Sequence, residues 1–587
     1  MRRRGTWLLL GVVIIVVGLA FLTRLPVPSG ATGGASAPTS TPTPTPTVRS
    51  AVLRDAAAGT SLAKGTDADD RAAAMSHALF ATSPVVVLAP DDDLVAQTRA
   101  ASISAALGAP LLLTGADDAA TTTEISRLGA RDAIVVGAVL SGTSLGGARL
   151  IVAPPTDAAL GRFLGFAEPG PVATRVAVGD EVAAVSDLRR GGRTVLAADP
   201  PPADETPTPT PRPSVTADVP TSTSSATAPS GAAEDVLERT VPPAPALDTL
   251  VLTDGGVTTL AAVATARAAG ARVVHVPGGD PRVSSTTVKA ISAAGDETRV
   301  VAVGAHFGSE DDLAWKVATA ATGVELPGGG QVLFPGRLLV ALYGNPGTPA
   351  LGLLGEQDLP ASITRATEYA AKYQALTTTT VVPGFEIIAT IAARDAGPDG
   401  DYSDETSAED LLAWVRAARD AGVYVVLDLQ PGRTDFLTQA KRYESLLTEP
   451  NVGLALDAEW RLAPDQVHLR QIGSVGIDEV NSVVTWLADL TRERALPQKL
   501  LVLHQFAGRM IVDRERLDMS RDELAMMVHV DGQGTQPAKA GTWAALRNGA
   551  PDGLRWGWKN FIDEDVPMLT PEQTLQVAPA PDLITYQ

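Results

Sequence analysis

No cysteine occurs in the 587 residues, which excludes disulfides, thiolate metal centres, a cysteine nucleophile and a lipid-modified cysteine anchor. Positive charge is also in deficit. The chain has 47 basic against 67 acidic residues, and its net charge of −20 is spread along its length rather than gathered in a tail. No basic phosphate-binding face is present, so a nucleic-acid partner is not expected. Several signatures of site chemistry are missing as well. No G-x-S-x-G stands between a strand and a helix as a serine nucleophile elbow requires. The glycine turns DGGV and GGDPRV do not make a G-x-G-x-x-G that opens a helix, so no dinucleotide cofactor is expected. His504, His529, Asp531 and Asp428 lack H-x-x-x-H or related spacing, so no metal is expected.

One long apolar run is present. In MRRRGTWLLLGVVIIVVGLAFLTR, three arginines precede an uncharged stretch from Gly5 to Thr23. This length suffices to cross a bilayer, and the preceding charge puts the amino terminus inside. The competing reading is a cleaved signal peptide. The small-x-small site Ala35-Ser36-Ala37 lies well past the apolar run and is followed by Pro38, which favours an uncleaved anchor over residues 1–24. The expected location is therefore the cell membrane, with a single pass and the bulk of the chain outside against the wall.

Residues 25–50 contain TPTPTPT and read as an extended stalk, and residues 200–246, with TPTPTPRP and TSTSSATAPS, read as a disordered linker. The segments flanking this linker match one another. VVVLAPDDDLVAQTRAASISAALGAPLLLTG closed by DAIVVGA predicts strand, helix ending at Gly108, strand, helix, strand; LDTLVLTDGGVTTLAAVATARAAGARVVHVPGG closed by RVVAVGA repeats that order with Gly270 in the place of Gly108. Two βαβαβ copies, assigned to 51–199 and 247–328, predict a Rossmann-like, helix-covered parallel sheet. With Leu107-Gly108-Ala109-Pro110-Leu111-Leu112-Leu113-Thr114 followed by Val135-Val136-Gly137, the first copy resembles the cell wall-binding repeat 2 family; the second is degenerate, with Arg272 where the proline belongs. The resemblance implies noncovalent attachment to a cell-wall polymer.

From residue 329 to 587 the pattern alternates strand and helix with short connections. Candidate strands are 338–346, 385–392, 423–431, the NVGLALDAEW stretch, 499–506, 525–532, 553–561 and the terminal DLITYQ. Eight such strands over this length predict a TIM (β/α)8 barrel, whose sites gather where the strands end. In NVGLALDAEW a period of two sends Gly453, Ala455, Asp457 and Glu459 to one face and Val452, Leu454, Leu456 and Ala458 to the other. Glycoside cleavage needs one carboxyl kept protonated and one kept charged. Glu459 and Asp457 are the candidate pair, with Asp428 on the adjacent strand as a third acid. Tyr343, Asn345, Gln430, His504 and Asp531 stand at other strand ends as candidate substrate contacts, and Trp556 and Trp558 as an apolar floor under a sugar ring. Glu386 opens its candidate strand and is expected near the base, in a structural role. The alternative for Asp457 is pairing with Arg461 or Arg433, and for the tryptophans it is helix packing.

The stretch resembles the D-G-x-D-x-D-x-E signature of family 18 glycoside hydrolases, the chitinase-like barrels. Gly453, Asp457 and Glu459 match, and Val452 and Ala455 replace the first two acids. It also resembles the Asp-x-Glu of family 25 muramidases, whose strand-one aspartate would fall near Asn345. The resemblance implies a glutamate proton donor, an aspartate orienting an acetamido group, and a wall glycan as partner. The rival expectation is a noncatalytic wall-binding scaffold whose barrel has lost its chemistry.

Overall fold

The structure is a computed structural model that describes residues 49–55, 57–138, 144–166, 170–199, 240–295 and 298–587. The expected anchor, the stalk before Arg49 and the linker through residue 239 lie outside the described residues. Among the described residues, no helix is long and apolar enough to cross a membrane.

Both βαβαβ copies fold in the order read from the sequence. In the first, strands Val85–Pro90, Leu111–Thr114 and Asp132–Val135 pair in parallel with the earliest strand in the middle; in the second, Thr249–Thr253 lies between Arg272–His275 and Arg299–Val303 in the same way. The helices after the two central strands, Leu94–Leu107 and Leu260–Ala269, end on left-handed glycines, Gly108 at φ 63° and Gly270 at φ 84°. A side chain at either would strike a proline, Pro243 and Pro245 respectively, at under 3 Å, so glycine is required both for the turn and for this approach. The copies are not separate bodies in this fold. Strand Gly59–Leu62, from the region assigned to the first copy, completes the sheet of the second, and Thr265 of the second copy hydrogen-bonds the backbone of Leu111 in the first at 3.0 Å.

The carboxyl-terminal half is a closed barrel of eight parallel strands: β1 Arg337–Gly344, β2 Thr380–Ala392, β3 Tyr424–Leu429, β4 Val452–Asp457, β5 Lys499–His504, β6 Leu524–Val530, β7 Arg555–Asn560 and β8 Leu583–Tyr586. Pairing of β1 with both β2 and β8 closes it. Between strands run amphipathic helices such as Ala408–Asp420, begun by the Ser407 side chain accepting from the Asp410 N–H, and Ile477–Glu493. Residues of alternate parity divide between two cores. Leu339, Ala341, Val382, Val426, Ala455, Val502, Met527 and Leu583 fill the lower barrel, while Val340, Val425, Leu454, Leu501 and Val528 pack outward against helices.

The α/β half meets the base of this barrel. Arg282, 1% exposed, binds the Asp280 carboxylate at 2.8 and 3.0 Å and the Asp522 carbonyl at 3.2 Å, and its guanidinium lies 4.3 Å from the Trp315 ring, which also has Arg492 at 4.6 Å and Lys316 at 5.8 Å. The strand ends that carry polar residues therefore open on the side away from this junction.

Candidate active site

Above the apolar layers, the inward position of each strand turns polar. Tyr343, Glu386, Asp428, Asp457, His504, His529, Lys559 and Thr585 follow the inward residues of β1 to β8 by the period-two rule, and all are buried. Glycine makes room for them: a side chain at Gly557, the inward residue of β7 below Lys559, would meet the His529 ring at 2.8 Å.

Glu386 corrects the sequence reading. Its strand starts at Thr380 rather than at residue 385, so Glu386 sits at mid-strand inside the barrel and not at its base. It receives His504 Nε2 at 2.8 Å, and the other ring nitrogen of His504, Nδ1, lies 2.9 Å from Asp531 Oδ2. Burial opposes protonation of His504, but the surrounding charges of Asp428 and Glu386 and its bonds to Asp531 and Glu386 outweigh burial and hold the imidazole charged well above its ordinary range. For Asp531 burial again pushes upward, and the hydrogen bond from His504 overcomes it, keeping this carboxylate ionised. Glu386 is also held below its usual value, burial being offset by the charged His504 ring and the hydrogen bond it makes. His529 itself is pushed down to about 3 by burial and stays neutral.

The candidate pair from β4 separates by environment. Asp457, 3% exposed, faces inward as the period predicts; burial drives its carboxyl well up, so it stays protonated, and its Oδ1 has no hydrogen-bond partner among the described residues. Glu459 lies just past the strand, on the turn Ala458–Trp460, and is pushed up to about 7 by burial first and by Asp531 second. The charged partner of Glu459 is thus Asp531 rather than Asp457. Asp428, raised to about 6 mainly by burial, accepts the Tyr343 hydroxyl at 2.8 Å. Neither proposed arginine pairs with Asp457: Arg461 binds Glu479 at 3.0 Å and Arg433 binds the Gln466 carbonyl at 2.8 Å.

A cavity of about 500 Å³ opens over these residues. Of the residues singled out in the sequence, Tyr343, Gln430, Asp457, Glu459 and Asp531 line it. Asp428 and His504 lie beneath its floor, fully buried. Asn345 is used by the backbone, donating to the Ile388 carbonyl at 2.8 Å and accepting the Gly347 N–H at 2.7 Å, and does not reach the cavity. Trp556 and Trp558 point outward and pack on Trp543 of the helix Gln536–Arg547, with ring centroids 6.0 and 5.5 Å apart, so they form no sugar floor. Alternation is the reason: Gly557 and Lys559 take the inward positions of β7.

Several lining residues went unread in the sequence. Lys559 reaches the cavity with its ammonium 3.6 Å from the Tyr343 ring centroid, and Trp460, Phe506 and Phe561 supply the aromatic surface. Lys559 was signalled by the same alternation that placed the tryptophans, since it shares a face with Gly557. Trp460 stands next to Glu459 and had no periodic signal, because it falls on the turn.

Fold and site together define a mixed α/β protein whose carboxyl-terminal half is a closed parallel barrel with a polar, carboxylate-lined mouth. No family model matches the chain, and no curated protein matches its sequence. Among solved structures it is similar to Cwp6 from Clostridium difficile, with 11% identity and a TM-score of 0.30; the match covers 64% of this chain and 63% of that one, less than two thirds of its length.

Proposed function

We propose that the barrel mouth binds and hydrolyses a cell-wall polysaccharide or glycan, with Glu459 as proton donor and Asp531 as the charged carboxylate. One observation carries this reading: two acids on the wall of one cavity are driven in opposite directions, Glu459 up to about 7 and Asp531 down. Glycosidic cleavage requires this division, because one carboxyl must give a proton to the leaving oxygen while the other meets the developing positive charge. The cavity falls in the size range of small-ligand sites. Trp460, Phe506 and Phe561 offer apolar faces to sugar rings, and Gln430, Gln533 and Lys559 offer hydrogen-bond donors. Asp457, held protonated, has a proton to donate to an acetamido oxygen, in keeping with the resemblance to family 18 barrels. In this reading the repeat-bearing α/β half holds wall polymer, and the amino-terminal segment tethers the chain to the membrane with its bulk outside.

Release of reducing ends from purified wall glycan by the full chain tests the proposal. Glu459→Gln and Asp531→Asn are expected to abolish turnover while leaving glycan binding in place. A second reading, a noncatalytic wall-binding scaffold, is favoured by Val452 and by Ala455, which fills the barrel core where the signature has an acid. It predicts glycan binding with no turnover by the unaltered chain.

A further inference from the structure

Below the cavity, the barrel throat holds a second group of side chains that glycan chemistry does not use. Glu386, His504 and His529 each present a donor atom, and the three atoms lie within 4.8 Å of one another; all three residues are 0% exposed. His529 Nδ1 and Glu386 Oε2 are 3.7 Å apart, and neither has a hydrogen-bond partner among the described residues. Asp428 Oδ1, 4.0 Å from His504 Nε2, is also without one. None of Glu386, Asp428 or His529 lines the cavity, so a glycan seated there does not satisfy these atoms. Leaving a buried carboxylate oxygen or ring nitrogen unpaired is unfavourable, more so when charged, and here three of them converge.

The outer nitrogens of both histidines are already fixed. His504 Nδ1 is held by Asp531 at 2.9 Å and His529 Nε2 by Thr585 Oγ1 at 3.0 Å, which turns the inner nitrogens, Nε2 and Nδ1, toward Glu386. A carboxylate or hydroxyl behind each imidazole is the arrangement that orients histidines toward a metal. Donors each about 2.1 Å from one ion stand up to about 4 Å apart, close to the spacing here. We propose that Glu386, His504 and His529, with Asp428 as a fourth donor, hold one divalent first-row ion of the zinc class in the throat of the barrel, the ion taking the place of the proton that His504 Nε2 shares with Glu386, which is released to solvent as the metal binds. Two imidazoles among the donors favour zinc, cobalt or nickel over calcium or magnesium, which take oxygen donors. The ion neutralises the pooled carboxylates and, through the imidazole of His504, positions Asp531 at the cavity wall. This site is independent of whether the mouth hydrolyses glycans.

The test uses the full chain stripped with a chelator and then titrated with Zn2+ or Co2+. One ion per chain is expected, with visible d–d bands for Co2+ and two imidazoles in the zinc X-ray absorption spectrum. Glu386→Gln and His529→Gln should each weaken binding by at least about tenfold, and Asp531→Asn by about 10–100-fold, as loss of an orienting partner does. Glu459→Gln should bind the ion like the unaltered chain even where turnover is gone, which separates this site from the hydrolase reading. Failure of the unaltered chain to retain an ion, a spectrum without imidazole, or affinity unchanged in folded Glu386→Gln and His529→Gln overturns the proposal. Where a variant does not fold, the absorption spectrum of the unaltered chain decides.

Discussion

Glu459→Gln separates a proton donor from a structural acid, because the two predict opposite changes in stability. A carboxyl carried from its ordinary 4.5 to about 7 resists ionisation in the folded state by about 3 kcal/mol. In the unfolded chain the same carboxyl ionises freely near its ordinary value. Below that pH both states are protonated and the site imposes no penalty. As pH rises from 4.5 toward 7 the unfolded state releases its proton first, so folding stability falls, and above 7 the full penalty remains. Glutamine keeps the shape and cannot ionise. The variant should therefore match the unaltered chain near pH 4 and exceed it at pH 8 by about 1–3 kcal/mol, the lower figure allowing for water reaching this partly buried group. Denaturant unfolding at the two pH values measures this, run beside reducing-end release from wall glycan, where turnover should collapse. In the unaltered chain, turnover should decline as pH rises through about 7, because the donor loses its proton. A variant that is less stable at pH 8, or that keeps its turnover, refutes the assignment and leaves Glu459 as a structural acid.

Lys559→Met removes a positive charge that holds the Glu459 carboxyl down, so the alkaline limb of the pH–rate profile should move upward; an unmoved or lowered limb counts against the pairing. Trp460→Ala should weaken glycan binding several-fold with little change in melting, whereas Trp556→Ala should lower stability by about 3–5 kcal/mol and leave binding by the folded protein intact; calorimetry of binding and unfolding distinguishes them. Arg282→Ala leaves the Asp280 carboxylate without its guanidinium at the junction between the α/β half and the barrel. It should cost about 3–5 kcal/mol, read as a fall in melting temperature, and a surface-like change near zero would contradict the burial described.

The eight barrel strands, and the inward parity of β4, were legible because periodicity is local: alternating side chains announce a strand and its two faces. Glu386 was misplaced for an equally local reason. Pro383 and Gly384 look like a strand boundary, yet pairing with β3 begins only at Gly384, so Pro383 sits where β2 has β1 alone as its neighbour and the missing N–H does no harm. The two tryptophans illustrate the limit of periodicity. It assigns Trp556 and Trp558 to one face and Lys559 to the other, but not which face is inside.

Local pattern alone specifies the order of elements, the repeated βαβαβ units with their glycine-ended helices, and the inward turn of Asp457 on its strand. These depend on backbone preferences and on spacings of a few residues. The company each residue keeps comes from folding. Strand Gly59–Leu62 joins a sheet formed some 200 residues later in the chain, His504 bridges Glu386 of β2 and Asp531 just past the end of β6, and Asp531 rather than Asp457 is the charged neighbour of Glu459. Burial and charge act through space. Each carboxyl in the barrel takes its proton affinity from groups brought within a few ångströms by closure of the barrel, and spacing along the chain carries no record of them.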